Sequence, residues 1–277
     1  MPGQSSEIIT SRQNPLIMRT SKLSDKKYRD AEGLFRIDGV KLFREAVASG
    51  IEIEYVFIAA PRLERMKSEL SDELERVGGR IVTVSDEVLS KLTDEKAPQG
   101  IVASARKFGV GPEDAPPDGD FRALLLSSIR DPGNLGTMIR TAYAFGVDRV
   151  YLSGDCADIY SPKTLRAAMG TIFRQPISIV GDEIGLVKRL KAGSCAVMAA
   201  ALREDAVRLG GFDMPGRICF AVGNEGHGLS DELIDACTGR VIIPMNPGCE
   251  SLNAAGAAGI LCWEMCRGSL IAGHASQ

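Results

Sequence analysis

Apolar positions along this chain fall into short continuous runs and longer runs with helical spacing. Within residues 1–107, "EYVFIAA", "RIVTVS" and "GIVASAR" are short and largely apolar, and they read as strands. Between them, "FRIDGVKLFREAVASG" reads as a strand end and then a helix. Val40, Phe43 and Val47 share one face of that helix, and Gly50 closes it. "RLERMKSELSDELERVGG" has the spacing of one amphipathic helix stopped by glycines. Beyond residue 120 the alternation becomes regular. "ALLLSS", "DRVYLS", "CAVMAAAL", "RICFAVG" and "RVIIPM" predict strands. "LGTMIRTAYAF", "PKTLRAAMG" and a segment from Ser251 to about Cys266 predict helices. Buried apolar strands alternating with helices predict a largely parallel α/β sheet, whose ligands bind beyond the carboxyl ends of the strands.

The clearest interruption is "KFGVGPEDAPPDGD", too polar and too rich in Pro and Gly to pack. It divides the 277 residues into a small α/β domain over 1–107, a linker over 108–119 and a second domain over 120–277. Net charge is only −3, so the whole chain does not present itself as a polyanion binder. Residues 11 to 44 are the exception: nine basic residues face four acidic ones, a local excess of five positive charges. Seven cysteines without a C-x-x-C pair or histidines at zinc spacing point away from a metal centre and toward a reducing cytoplasm. The first residues lack an apolar signal core, and no apolar stretch reaches membrane-spanning length.

Three glycine-bearing loops follow predicted strands. The first, "DPGNLGTMIR", enters a helix. It has no Gly-Lys-Thr and no complete G-x-G-x-x-G, which argues against a nicotinamide-dependent oxidoreductase. The second, "AVGNEGHGLSDEL", surrounds Glu225 with glycines and reaches a helix that Ser230 caps. The third, "IPMNPGCESLNAAGAAGI", turns through Pro-Gly into an Ala/Gly-rich helix that Ser251 caps. Backbone groups and small residues dominate all three, and anion receptors are scarce. That chemistry suits a nucleoside without a polyphosphate, such as S-adenosylmethionine.

"NLGTMIR", "VGNEGHGLS" and "IPMNPGCESLNAAGAA" resemble the three motifs of the SpoU (TrmH) ribose 2′-O-methyltransferases of the SPOUT class. "SPKTLRAAMGTIFRQPI" is similar to the segment between the first and second of them. "SRQNPLIMRTSKLSDKKYRDAEGLFRIDGVKLFREA" is similar to the small substrate-binding domain of ribosomal-protein-like fold that precedes the catalytic domain. Ala254, Ala255 and Ala168 stand where Val, Ser and Ser are common. The resemblance implies a mostly parallel α/β fold with a C-terminal trefoil knot, a homodimer, and methylation of structured RNA, ribosomal rather than transfer RNA. The alternatives are a tRNA ribose methyltransferase and a non-catalytic RNA-binding relative.

By the same resemblance Arg140, Asn134, Glu225, Ser251 and Asn253 form the catalytic set. Gly223, Ile243, Met245, Leu252 and Ala200 hold the cofactor. Arg140 as a general base conflicts with a guanidinium that stays protonated in proteins. Gripping the phosphate beside the target ribose, or stabilising the developing alkoxide, are the two roles left to it. Glu225 is expected to orient backbone or to accept from Asn134 and Arg140, and Asn253 to bond the first loop. His227 falls at a variable position of its motif and is set aside. Arg12, Asn14, Lys22, Lys26, Lys27 and Arg29 are the expected RNA contacts.

Overall fold

The elements follow from the punctuation of the chain and are described from a computed structural model covering residues 8–111, 118–246, 248, 249 and 251–274. Residues 112–117 of the expected linker lie outside the described residues. The chain clusters into two compact units. Unit 1 is Met1–Phe108 with Asp158–Phe173, and unit 2 is Gly109–Ala157 with Arg174–Gln277. The break after Phe108 falls at the head of the expected linker. The grouping differs from the expected domains in one respect: the segment between the first and second motifs clusters with unit 1. Its aromatics are the reason. Tyr160 and Phe173 join Phe35 and Phe108 in one ring cluster with centroids 4.9–6.2 Å apart.

Unit 1 runs α1 (Pro15–Ser21), α2 (Lys26–Glu32), β1 (Leu34–Asp38), α3 (Val40–Ala48) and β2 (Ile53–Ala59). It continues through α4 (Leu63–Glu69), α5 (Ser71–Val77), β3 (Ile81–Val84), α6 (Asp86–Lys91) and β4 (Ile101–Arg106). The sheet order is β1-β4-β2-β3, antiparallel except for the β2–β3 pair. Asn14 caps α1 ahead of Pro15, and Asp25 caps α2. The single amphipathic helix expected over 62–79 is two helices. Leu70 leaves helical geometry (φ −124°, ψ 26°) while staying fully buried, so the chain bends to keep this side chain inside.

Unit 2 begins with β5 (Phe121–Leu126), α7 (Pro132–Phe145) and β6 (Arg149–Ser153). After α8 (Pro162–Ala168), which belongs to unit 1, come β7 (Ile177–Val180), α9 (Glu183–Ala192), β8 (Ala196–Ala200), β9 (Val207–Arg208) and β10 (Arg217–Val222). The last elements are α10 (Asp231–Ala236), β11 (Gly239–Ile242) and α11 (Ala254–His274). All seven strands are parallel, in the order β7-β6-β5-β10-β8-β11-β9. β10 enters late, between β5 and β8. The carboxyl ends of β5, β10, β8 and β11 therefore lie side by side, although long stretches of sequence separate them. On one face, Leu186, Val187 and Leu190 of α9 and Leu233 and Ile234 of α10 close the core, and α11 packs along α7. β7 and α9 were not among the expected elements. Asp182 caps α9 through Gly185 N and starts it only two residues after the strand ends.

Candidate functional site

Aspartate and proline set the first loop. Asp131 Oδ1 accepts from Asn134 N at 2.8 Å and Pro132 takes the first helical position, so α7 starts earlier than the pattern suggested. Asn134 thereby sits in the first turn, its side chain beyond the end of β5. In the second loop Gly223 is obligatory. A Cβ there would stand 2.2 Å from Gly228 C and 2.4 Å from Leu229 N. The loop folds back on itself through Asn224 N→Gly228 O at 3.2 Å and Gly228 N→Asn224 O at 2.9 Å. That turn presents Glu225 at its tip.

The three loops meet through two amides. Asn134 Nδ2 donates to Glu225 Oε1 at 2.6 Å, and Asn253 Nδ2 donates to Asn134 Oδ1 at 3.4 Å. Glu225, Asn134 and Asn253 thus form one chain across residues 91 and 119 positions apart. Asn253 Oδ1 also accepts from Ala255 N at 2.9 Å and Gly256 N at 3.3 Å. This corrects the expectation for Ser251: the helix starts at Ala254 and Asn253 caps it. Ser251 stays in the loop, exposed and lining the cavity described next. Arg140 is exposed on α7, six residues beyond Asn134 and so about 9 Å along the axis. It does not bond Glu225, and among the described residues it has no hydrogen-bond or ion-pair partner.

A cavity of about 140 Å³ opens between β8, β11 and the third loop. Its walls include Ala200, Ile243, Met245 and Leu252, and Ser251 is its one hydroxyl. A wider cavity of about 360 Å³ shares Ala200, Ser251 and Leu252 and adds Gly223, Glu225, His227 and Arg203. All five residues expected to hold the cofactor therefore line these two spaces. Among the described residues neither space is lined by a lysine, and Arg203, which borders the wider one, is paired with Asp231; the apolar walls of the smaller space fit an adenosine carried by a sulfonium compound. His227, set aside on sequence grounds, does line the wider cavity.

Sequence reasoning missed the bracing behind these loops. Asn224 Nδ2 donates to Ser128 O at 2.9 Å, and its Oδ1 accepts from Gly226 N at 2.8 Å and His227 N at 3.3 Å. Ser128, a non-glycine at φ 56°, is held there by Ser153 Oγ, which accepts from its N at 2.8 Å, and by Asp155. The Asp155 carboxyl lies below the usual range, chiefly because the Ser153 hydroxyl donates to it, with Ser128 and Arg130 adding to the effect. Burial pushes the neighbouring Cys156 thiol and the Glu183 carboxyl up. The sequence signal available was Asn224 inside the second motif. Asp155 carried none.

The expected RNA contacts lie in unit 1. Arg12, Lys22, Lys26 and Lys27 are exposed on or before α1 and α2. Lys22 stands 5.2 Å from the centre of the Tyr28 ring, and Lys26 pairs with Asp30 at 2.7 Å. Asn14 is half-buried, with its Oδ1 accepting from Leu16 N at 2.9 Å. Arg29 is corrected. It is 3% exposed, and its fork is spent on Asp158 at 2.6 and 3.0 Å, Leu23 O at 2.8 Å and Ser24 O at 2.7 Å. A guanidinium with its donors engaged inside a unit does not reach a phosphate.

A parallel sheet whose carboxyl-end loops converge beside a cavity has the architecture of an α/β protein that binds a small ligand there. Residues 122–263 match the SpoU rRNA Methylase family, and residues 14–103 match the MRM3-like substrate binding domain. An uncharacterized tRNA/rRNA methyltransferase of Synechocystis is 33% identical, with 92% of each chain covered. The 23S rRNA (guanosine(2553)-2′-O)-methyltransferase RlmP of Bacillus subtilis is 32% identical, over 93% of this chain and 98% of its own. The crystal structure of an AdoMet-bound rRNA methyltransferase from Sinorhizobium meliloti superposes with a TM-score of 0.83. It is 31% identical, over 94% of this chain and 97% of that one. The chain belongs to the SpoU rRNA methylase family.

Proposed function

We propose that this protein methylates a ribose 2′-hydroxyl of ribosomal RNA, using S-adenosylmethionine. The observation that carries this reading is the Glu225–Asn134–Asn253 chain, which joins three distant loops beside two adjoining cavities, the smaller of them apolar. The 2′-O-methyltransferase named among the relatives and the AdoMet-bound neighbour support it.

When bound, the cofactor supplies a methyl group on a positively charged sulfur, open to in-line attack by a hydroxyl. Ala200, Ile243, Met245 and Leu252 hold the nucleoside, and Gly223 lets backbone approach it. Asn134, fixed between Glu225 and Asn253, keeps the acid end of the cavity in one geometry. Holding the hydroxyl in line with the methyl group is worth roughly 7–11 kcal/mol in favourable cases. Arg140 is exposed and uncommitted. It grips the phosphate next to the target ribose or stabilises the alkoxide as its proton leaves. Ser251, at the shared wall of both spaces, bonds the ribose or the cofactor.

Arg12, Lys22, Lys26 and Lys27 contact phosphates of the RNA. Unit 1 serves as substrate-binding domain, with the linker after Phe108. The chain after β11 forms the trefoil knot implied by the family resemblance. The protein is a homodimer joined through α7 and α11, whose Tyr143, Ile260 and Trp263 are 38–43% exposed. Seven free cysteines suit the cytoplasm. Among the described residues no helix is long and apolar enough to cross a membrane.

The test is deletion of the gene followed by mapping of ribose methylation in ribosomal and transfer RNA. One lost ribosomal mark, restored by the wild-type protein but not by Arg140→Ala, is expected. The Arg140→Ala variant binds cofactor normally and loses roughly 100- to 1,000-fold in turnover. A mark lost from transfer RNA instead, or none lost, sinks the reading.

A further inference from the structure

A third cavity, of about 220 Å³, is lined only by residues of unit 1 and lies on other elements than the basic segment of α1 and α2. One wall is apolar: Leu42 and Leu165 are buried, and Met169 stands at the rim, 37% exposed. Met169 ends α8 in the left-handed region at φ 53°, which a side-chain-bearing residue adopts only when its surroundings impose it. Gly170 follows at φ 88°. A Cβ there would stand 2.5 Å from Glu45 Cβ, so the chain is pressed down beside Met169.

The opposite wall is polar and unevenly satisfied. Asp38, at the carboxyl end of β1, is 3% exposed at its side chain. Its Oδ2 accepts from Thr93 at 3.2 Å and lies 3.6 Å from Arg166. Its Oδ1 sits 3.1 Å from Arg36 Nε, yet both atoms lack a hydrogen bond because the approach is off line. Burial pushes the Asp38 carboxyl up, against the pull of Arg36 and Arg166, and Glu95 adds to the rise. Glu95 is half-buried, its backbone N held by Thr93 Oγ1 at 3.1 Å, and its carboxylate has no partner among the described residues. Gln99 Oε1 accepts from Val40 N at 3.0 Å, which fixes the side chain and leaves its Nε2 amide to donate. Lys41 and Arg166 bring positive charge to the same space.

These groups describe a slot: one apolar wall for the face of a ring, an idle carboxylate and an amide donor for the ring's edge, and cations beside it. A carboxylate matches two adjacent N–H donors bidentately. Among the RNA bases guanine supplies that pair, N1–H and N2–H, with O6 beside them as acceptor. Unstacked bases in single-stranded RNA expose this edge. We propose that the cavity takes a splayed guanine of the RNA substrate, with Glu95 on N1–H and N2–H, Gln99 on O6, and Lys41 and Arg166 on the flanking phosphates. The site rests on the RNA-methylation reading and deepens it. Phosphate contacts of α1 and α2 place the strand, and this slot reads a base of it.

The test uses the full chain and ribosomal RNA from the deletion strain. Glu95→Gln is expected to raise KM for RNA roughly tenfold to hundredfold, with kcat and S-adenosylhomocysteine affinity unchanged. Lys41→Ala is expected to raise KM less and to lower the salt slope by about one phosphate. In parallel, amide NMR of the wild type is followed on adding GMP, IMP or AMP. Shifts at Gly39, Val40 and Gly100 that are largest for GMP, weaker for IMP without its N2 amine, and absent for AMP support the proposal. An unchanged KM in Glu95→Gln, or equal shifts from AMP and GMP, overturns it. Tight GMP binding with an unaltered RNA KM assigns the slot to a free nucleotide and overturns it as well. A wild-type protein that methylates no RNA defeats the methylation reading instead, while the nucleotide titration still decides whether the slot selects guanine.

Discussion

In unit 1 charged side chains are drawn inside, whereas in unit 2 the loops of the site are joined by neutral amides and close backbone. Arg29 and Arg36 are 3% and 2% exposed, each locked to a carboxylate. In unit 2 the corresponding work falls to Asn134, Asn224 and Asn253, to Gly223, and to an apolar cavity wall. Under the proposed function, the difference follows from the ligands. A unit that meets a polyanion needs many cations, and some of them become structural. A pocket for a cationic nucleoside relies more on shape and backbone, and the arginine that borders the wider cavity, Arg203, is paired with Asp231.

The comparison can be broken at its strongest point first. Arg29→Met leaves the half-buried Asp158 without its guanidinium partner, holding only the bond from Tyr160 N. It is expected to cost about 3–5 kcal/mol of stability, read by denaturant unfolding. Arg29→Met with Asp158→Leu should recover much of that loss, and a double variant no better than the single one shows that the pair is not what matters. On the other side, Gly223→Ala forces a methyl group into the Gly228 backbone. Calorimetry should show cofactor binding lost, with about 1–3 kcal/mol of destabilisation.

Smaller effects sharpen the contrast. Reversing Lys26 and Lys27 to Glu should leave folding and cofactor affinity alone, weaken RNA binding and flatten its salt dependence by about 1 to 2 in log–log slope. An unaltered slope moves the RNA off α2. The smallest effect concerns Asp30, whose carboxyl is held down to about 2 by Lys107 and then Lys26. A folded-state value below the unfolded one, about 3.9, contributes stability above pH 4 that is lost as pH falls toward 2. Asp30→Asn should therefore narrow the gap in Tm between pH 5 and pH 2.5. The difference will be small, because the pair is half exposed and screened.

Local chemistry made much of this legible. Short runs of apolar residues, Asp and Ser caps, and glycines after apolar runs produce their elements through interactions within a few residues, so β5, β6, β10 and Ser230 at the head of α10 could be read directly. The three motifs could be read as well, because each is contiguous. The division of the 62–79 helix could not, since Leu70 breaks helical geometry only to stay in a core that other segments build. The cap of α11 passed from Ser251 to Asn253 for a similar reason: Asn253 is held from its other end by Asn134.

Composition by itself determined that this chain has two parts, that one carries a basic segment, and that its glycine loops suit a ligand without polyphosphate. Only tertiary structure decided which charges face solvent. Arg29 and Lys26 look alike in sequence, three residues apart in one basic segment, yet one is buried against Asp158 and the other exposed. Tertiary structure also decided that Glu225, Asn134 and Asn253 touch, because strand order, and not chain order, sets which carboxyl ends are neighbours. Burial and adjacency are properties of the whole packed chain, and no local run of residues contains them.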